Sequence, residues 1–267
     1  MNNTEDSTNV FVTTLNTDNY LPGVIVLDKT IRDTCSHRLF VLVSHDLKES
    51  TYEALRRRSI AFGYADNVVV NPELFADTAD IYSHWKNTLF KLRIFELTQF
   101  SKIVFIDGDI MVLGSIDDLF DRPDMSAVIA GRSYPGNEHW YDLNSGVLVI
   151  EPCEGIIGKL IDTIPVVSAA KNNFGDQDIL SAYFSDWPQD KNLHLPEGYN
   201  VFFDHYHHYI KHGEVKGLHF IGKIKPWMLS RHQVFVTYLR CFLKGNASAI
   251  SVLKRYLRYV REVYVDE

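Results

Sequence analysis

Asp107 and Asp109 stand one residue apart at the end of a wholly apolar run, within KIVFIDGDIMVL at residues 102–113. Paired carboxylates are hard oxygen donors that suit Mn²⁺ or Mg²⁺, and such a cation can fill its other positions with diphosphate oxygens. Gly108, between them, would give an ion close access to the backbone. An Asp-x-Asp pair also arises by chance in an acidic chain, and Asp176 and Asp178 form another, so the flanking sequence has to decide.

Four further segments carry side chains that could join such a site. In TTLNTDNY (13–20), Thr14 and Asn16 offer polar groups and Tyr20 an aromatic ring for a base, although turn and cap work would use the same residues. In DLNSGVLVIEP (142–152), Asn144 and Ser145 suit sugar hydroxyls or a local Asx turn. In FGDQDIL (174–180), Asp176 and Gln177 stand at a helix start, where an aspartate can also serve as a cap. In HFIGKIKPW (219–227), His219 could complete a metal shell, and Gly222 and Lys225 could meet phosphate. A lone histidine beside a strand can equally be hydrogen-bonded in place.

The elements that must hold these residues follow from hydrophobic patterning. Residues 10–15 and 38–44 read as buried strands and 21–33 as a helix with Val24, Leu27 and Ile31 on one face. Residues 48–62 read as a charged helix, 67–70 as a third strand and 89–99 as a helix feeding the strand before Asp107. Further strands are expected at 126–131 and 146–150, and a helix at 177–184. Strand and helix alternate at βαβ spacing over the first ~110 residues, which predicts a Rossmann-like sheet with ligands at the carboxyl ends of its strands. No GxGxxG is present, so the dinucleotide fingerprint is missing. Residues 249–264 predict a terminal helix with Ile250, Leu253, Leu257 and Val260 on one side and Lys254, Arg255, Arg258 and Arg261 on the other. Its apolar side is expected to dock on the domain with the basic face in water, the alternative being a membrane surface.

Composition narrows the function classes. A chain of 267 residues with 46% hydrophobic and 23% charged residues is an ordinary globular enzyme in bulk. A net charge of −7 argues against nucleic-acid binding, which needs a Lys/Arg excess. Cys35, Cys153 and Cys241 lack metal-ligand spacing and suit reduced thiols. Neither a secretory leader nor a run approaching the ~20 apolar residues of a membrane span is visible, so the expectation is a cytoplasmic protein.

Taken in order, DGD after a buried strand, NSG before another, GDQDIL and HFIGKIKPW resemble glycosyltransferase family 8, the retaining nucleotide-sugar transferases. Within it the chain looks most like the glycogenin and galactinol-synthase branch. FVTTLNTDNYLPGVIVL (11–27) is similar to the family's opening segment and LFKLRIFELTQFSKIVFIDGDIMVLGSIDDLFD (89–121) to its central one. The resemblance implies a GT-A-type α/β fold, Rossmann-like with a mixed central sheet. It implies one glycosyltransferase domain over residues 1–240, with 241–267 as a C-terminal amphipathic helix packed on it.

By position, the resemblance makes Asp107, Asp109 and His219 ligands of Mn²⁺, with Mg²⁺ an alternative, bridging the phosphates of a UDP-sugar. Thr14, Asn16 and Tyr20 match the nucleotide loop, with Tyr20 on uracil; Lys91 matches a basic residue approaching the donor. Gly108 sits between the metal-binding aspartates, and Gly222 and Lys225 match the diphosphate clamp. Asn144, Ser145, Asp176 and Gln177 match donor-sugar contacts, Asp176 and Gln177 being the catalytic candidates. The implied donors are UDP-glucose or UDP-galactose, the acceptor a polyol, saccharide or protein, and a homodimer is possible. Self-glucosylation at Tyr206 or Tyr209, donor hydrolysis, or donor binding without turnover are the alternatives. Two departures bear on the sugar pocket: Asn173 replaces an acid before the Asp-Gln pair, and Tyr141 stands where the branch has an aspartate, with Asp142 one residue late.

Overall fold

Runs of Val, Ile, Leu and Phe too apolar to face water on either side build the centre of the molecule. The computed structural model describes residues 9–69, 88–171 and 174–265. β1 (Asn9–Leu15), β2 (Leu39–Ser44), β3 (Ala61–Ala65) and β4 (Lys102–Ile106) pair in parallel in the order β3-β2-β1-β4. After β4 comes β5 (Ile110–Val112), and then β6 (Ala127–Val128), β7 (Asn144–Ile150) and β8 (His194–Leu195). β7 runs antiparallel to β4, and β6 and β8 complete a mixed seven-stranded sheet. β9 (Val201–Phe202) and β10 (Gly217–His219) join β5 in a separate three-stranded sheet.

Six helices longer than a turn or two flank the sheets among the described residues: α1 (Leu21–Thr34), α2 (Glu49–Arg57), α3 (Ile156–Ala170), α4 (Asp176–Tyr183), α6 (Arg231–Leu243) and α7 (Ala247–Val265), with the short α5 (Tyr206–His212) before α6. Alternation along β1 sends Phe11 to one core layer, beneath α1, and Val12 to the other, beneath the 3₁₀ turn Phe90–Glu96 and α3. A third apolar cluster joins Leu253, Tyr256 and Val260 of α7 to Val26 of α1 and Leu218 of β10.

Local patterning misplaces several elements. The third strand is Ala61–Ala65, not 67–70; residues 67–69 are irregular and 70 lies outside the described residues. The helix expected over 48–62 stops at Arg57, because the chain then turns through Ser59, at φ 52°, to enter β3. The segment 89–99 forms the 3₁₀ turn Phe90–Glu96. The strand expected over 126–131 contracts to Ala127–Val128, with a register shift against β7 between the two residues. In the terminal helix Leu253 and Val260 are buried with Tyr256, Ile250 and Leu257 are half-buried, and Lys254, Arg258 and Arg261 are exposed; α6 runs across the boundary expected at residue 241.

Candidate active site

The cleft is made where β4 stops. Ile106 ends the strand, the amide of Ile110 donates to the carbonyl of Asp107 at 3.0 Å, and β5 begins at once. This tight turn sets Asp107 and Asp109 side by side at the carboxyl edge of the sheet. β10 pairs antiparallel with β5 so that His219 lies opposite Ile110. The register brings the imidazole Nε2 to 3.2 Å from Asp109 Oδ1 and 3.9 Å from Asp107 Oδ2. One ligand atom from each of the three residues lies within 4.8 Å of the others. Two carboxylates and an imidazole at this spacing fit a divalent cation.

The imidazole is oriented from behind. His219 Nδ1 lies 2.9 Å from Asn200 Oδ1, and Asn200 Nδ2 donates to Asn144 Oδ1 at 2.7 Å. That second bond fixes the Asn200 amide, so its Oδ1 accepts from Nδ1 and holds the ring with Nε2 toward the carboxylates. Gly146 makes room: a Cβ there would lie 2.8 Å from His219 Cε1 and 2.9 Å from Asn144 Oδ1.

β7 lies beside β4, which brings Asn144 and Ser145 to the same edge. Asn144 makes two bonds. Its Oδ1 accepts from the amide of Gly146 at 3.0 Å, a local Asx bond, and its Nδ2 donates to Gln177 Oε1 at 3.1 Å. At the start of α4, Asp178 is the residue that caps, accepting from the amide of Gly175 at 2.8 Å. Asp176 instead faces Lys91, whose ammonium lies 2.9 Å from it and 2.8 Å from Asp107 and donates to Ser145 Oγ at 3.2 Å.

Lys225 supplies the other buried cation. It pairs with Asp109, donates to the carbonyl of Phe220 at 3.1 Å and lies 5.8 Å from the Tyr20 ring centroid. Tyr20 meets Trp227 edge-on at 5.4 Å, and the Trp227 indole donates to the carbonyl of Asn19 at 2.8 Å. Gly222, at φ 101°, adopts a backbone region that favours glycine. A Cβ on Gly108 would make only ordinary contact with Val24 and Thr13. The tighter constraint is on Gly23 of α1, where a Cβ would lie 2.4 Å from the Gly108 carbonyl.

Thr14, Asn16, Tyr20, Lys91, Asp107, Gly108, Asp109, Asn144, Ser145, Asp176, Gln177, His219, Gly222 and Lys225 all line this one cleft of ≈ 410 Å³, with Thr17, Thr88 and Ile221. Burial strains each charge, and the partners decide its sign of shift. Burial opposes the Lys91 ammonium, but Asp107 and Asp176 outweigh it and hold the group charged well above its usual range. Asp107 is pushed up by burial, only partly offset by Lys91. Burial also opposes Asp109, yet His219 and Lys225 together hold it below the ordinary carboxylate range.

Asn200 and Gly146 had no assigned role from sequence. Asn200 sits in a loop-rich stretch without a motif, and only the parallel pairing of β9 with β10 delivers it to His219. Tyr141 is exposed, stacked under Arg132 at 4.8 Å, and is not among the residues lining the cleft; Asn173 lies outside the described residues. Tyr206 and Tyr209 are buried, with the Tyr209 hydroxyl donating to Glu197. A larger open hollow of ≈ 710 Å³ lies beside Glu197, Tyr209, Glu214 and Lys216, and Glu197 there is already engaged by Ser133 and Tyr209.

The glycosyl transferase family 8 model matches residues 12–230. Glycogenin-1 of Homo sapiens is 33% identical over 231 residues, which cover 81% of this chain and 61% of that one. Inositol phosphorylceramide glucuronosyltransferase 1 of Arabidopsis thaliana is 32% identical over 186 residues, covering 69% of this chain and 32% of that protein. The chain thus spans less than two thirds of the length of these curated relatives. Among solved structures, the galactosyltransferase LgtC in complex with donor and acceptor sugar analogues aligns with a TM-score of 0.63 at 20% identity, over 94% of this chain and 95% of that one. The mixed sheet shared with it is the GT-A arrangement expected from the sequence. With most of its length matched, the chain belongs to glycosyl transferase family 8.

Proposed function

We propose that the protein transfers a hexose, glucose or galactose, from a UDP-sugar to a polyol, saccharide or protein acceptor with retention of configuration. The observation that carries this reading is the closure of Asp107, Asp109 and His219 around one point in a cleft that also holds Lys91 and Lys225. Asp107, Asp109 and His219 would hold the cation, which we take to be Mn²⁺; when bound it supplies charge neutralisation to the diphosphate. Lys225 is set to meet negative charge gathering on departing UDP, a preorganised electrostatic contribution of the kind that dominates many sites. Tyr20 would stack on uracil between Thr14 and Asn16, and Gly222 would let backbone approach the diphosphate. Asn144, Ser145, Asp176 and Gln177 would meet the donor sugar.

Gln177 Oε1 is engaged by Asn144 and Asp176 by Lys91. Both are better placed to orient and stabilise than to form an adduct, which favours attack from the leaving-group side. The acceptor oxygen then bonds to the anomeric carbon as the bond to UDP breaks, and its proton passes to the departing phosphate oxygen. Unpaired Cys35, Cys153 and Cys241 suit a cytosolic setting.

Asp109→Ala is the direct test. Transfer and metal-dependent UDP binding should fall at least ~100-fold, read by UDP release and calorimetry across UDP-glucose and UDP-galactose with Mn²⁺. Undiminished transfer in excess chelator would refute the metal-dependent reading. Intact mass after incubation with UDP-glucose reads self-glycosylation as hexose-sized additions, which the burial of Tyr206 and Tyr209 argues against at those positions.

A further inference from the structure

The last part of the chain has a charge unlike the rest. Residues 221–261 contain nine Lys or Arg and no Asp or Glu, a formal +9, which leaves −16 on the remainder of a chain whose total is −7. The same stretch exposes large apolar side chains. Phe235, Leu239, Phe242 and Leu243 of α6 are 64%, 46%, 70% and 75% exposed. At about 100° per residue they share one arc of roughly 100°, with Arg231 and Arg240 beyond its two edges. This helix is real surface: Ser230 and Gln233 cap it reciprocally, at 3.2 and 2.9 Å, and its opposite side buries Cys241.

The basic groups of α7 lie alongside this arc. The Lys254 ammonium is 5.6 Å from the ring centroid of Tyr238 on α6, and Lys254, Arg258 and Arg261 are spaced to share one exposed side of α7. Exposed Ile224 and Met228 extend the apolar surface along the loop leading into α6, and Ile221 of that loop also lines the cleft.

We propose that this face of α6 and α7 rests on an anionic membrane surface. Exposed Phe and Leu side chains flanked by cations, in a stretch without an acid of its own and with Asp204 the acid that lies beside Arg240 and Lys244, are the complement of a negatively charged lipid headgroup layer over acyl chains. Among the described residues no helix is long and apolar enough to cross a membrane, so the contact is peripheral. It goes beyond the transfer reaction, and it sets the cleft mouth at Ile221 toward the lipid side.

Co-sedimentation of the full chain with vesicles tests it, using phosphatidylcholine alone and phosphatidylcholine with roughly one-third phosphatidylglycerol. Anionic vesicles should bind at least about tenfold more protein than neutral ones, the excess disappearing at high salt. Phe235→Glu with Phe242→Glu, and separately Lys254→Glu with Arg258→Glu, should each reduce that binding at least about tenfold while melting temperature and UDP affinity stay at wild-type values. No binding, or equal binding to both vesicle types, overturns the proposal. So does a concentration-dependent dimer, seen by light scattering and abolished by Phe235→Glu with Phe242→Glu, since the face would then belong to a second copy. UDP affinity is measured in parallel, so this result is separable from a failure of the glycosyltransferase reading.

Discussion

The imidazole of His219 is useful only if it stays where the two aspartates can share its ligand, and two residues with no role assigned from sequence secure that. Asn200 fixes the ring orientation by accepting from Nδ1, and Gly146 leaves the ring its space. Outer partners of this kind typically change metal affinity by about 10–100-fold when removed. Asn200→Ala should therefore weaken Mn²⁺ binding by about that factor with the fold intact, and Gly146→Ala should do the same by pushing the ring aside; calorimetry beside circular dichroism checks both. Unchanged Mn²⁺ affinity in both variants would remove these residues from the site. Residues of chemical type, such as Asp107 or Lys225, are legible in a single sequence because few other residues could do their work. Asn200 and Gly146 are not, since their roles exist only once β7, β9 and β10 are assembled.

At the scale of elements, the two short sheets do what the sequence patterning could not show. The apolar run after Asp109 carries no sign of its partner in the sequence; it leaves the main sheet and pairs with β10. That switch is what brings residue 219 to residue 109. β3 was illegible for a related reason: AFGYA has little strand signal of its own, and its pairing with β2 creates it, with Gly63 lying under the Phe40 ring. Long buried strands such as β1, β2 and β4 need no such partner to be recognised. The switch is braced from outside by Asp117, which accepts from the amides of Ser36 and His37 at 2.8 and 3.2 Å and from Ser115 Oγ at 3.0 Å. Burial is the largest single influence and opposes its charge, but His37 and these donors together hold its carboxyl well below the usual range. A folded value below the unfolded one adds stability that is present above the ordinary carboxylate pKa and lost as pH falls through the folded value. Asp117→Asn should thus cost about 1 kcal/mol near neutrality, with the gap to wild type closing on acidification below roughly pH 4, measured by urea denaturation across pH. A gap independent of pH would show that the charge is irrelevant there.

For the whole molecule, α7 decides whether the C-terminal segment is an appendage or part of the core. Leu253, Tyr256, Val260 and Val263 are all buried, against Val26, Leu218 and Phe220 among others. At about 1.5–3 kcal/mol for each such side chain, their removal approaches the entire net stability of a domain, about 5–15 kcal/mol. A chain ending before Ala247 should consequently fail to give a cooperative melt by circular dichroism; an unchanged melting temperature would make the helix dispensable. Tyr256 has a second neighbour of interest, since Trp227 stacks over it at 6.2 Å while also meeting Tyr20 edge-on and donating to Asn19. One indole is therefore wedged between the terminal helix and the loop offered to the nucleotide. Its emission makes a label-free reporter: a base settling on Tyr20, or any loosening of the final helix, must alter the polarity and packing around the same fluorophore.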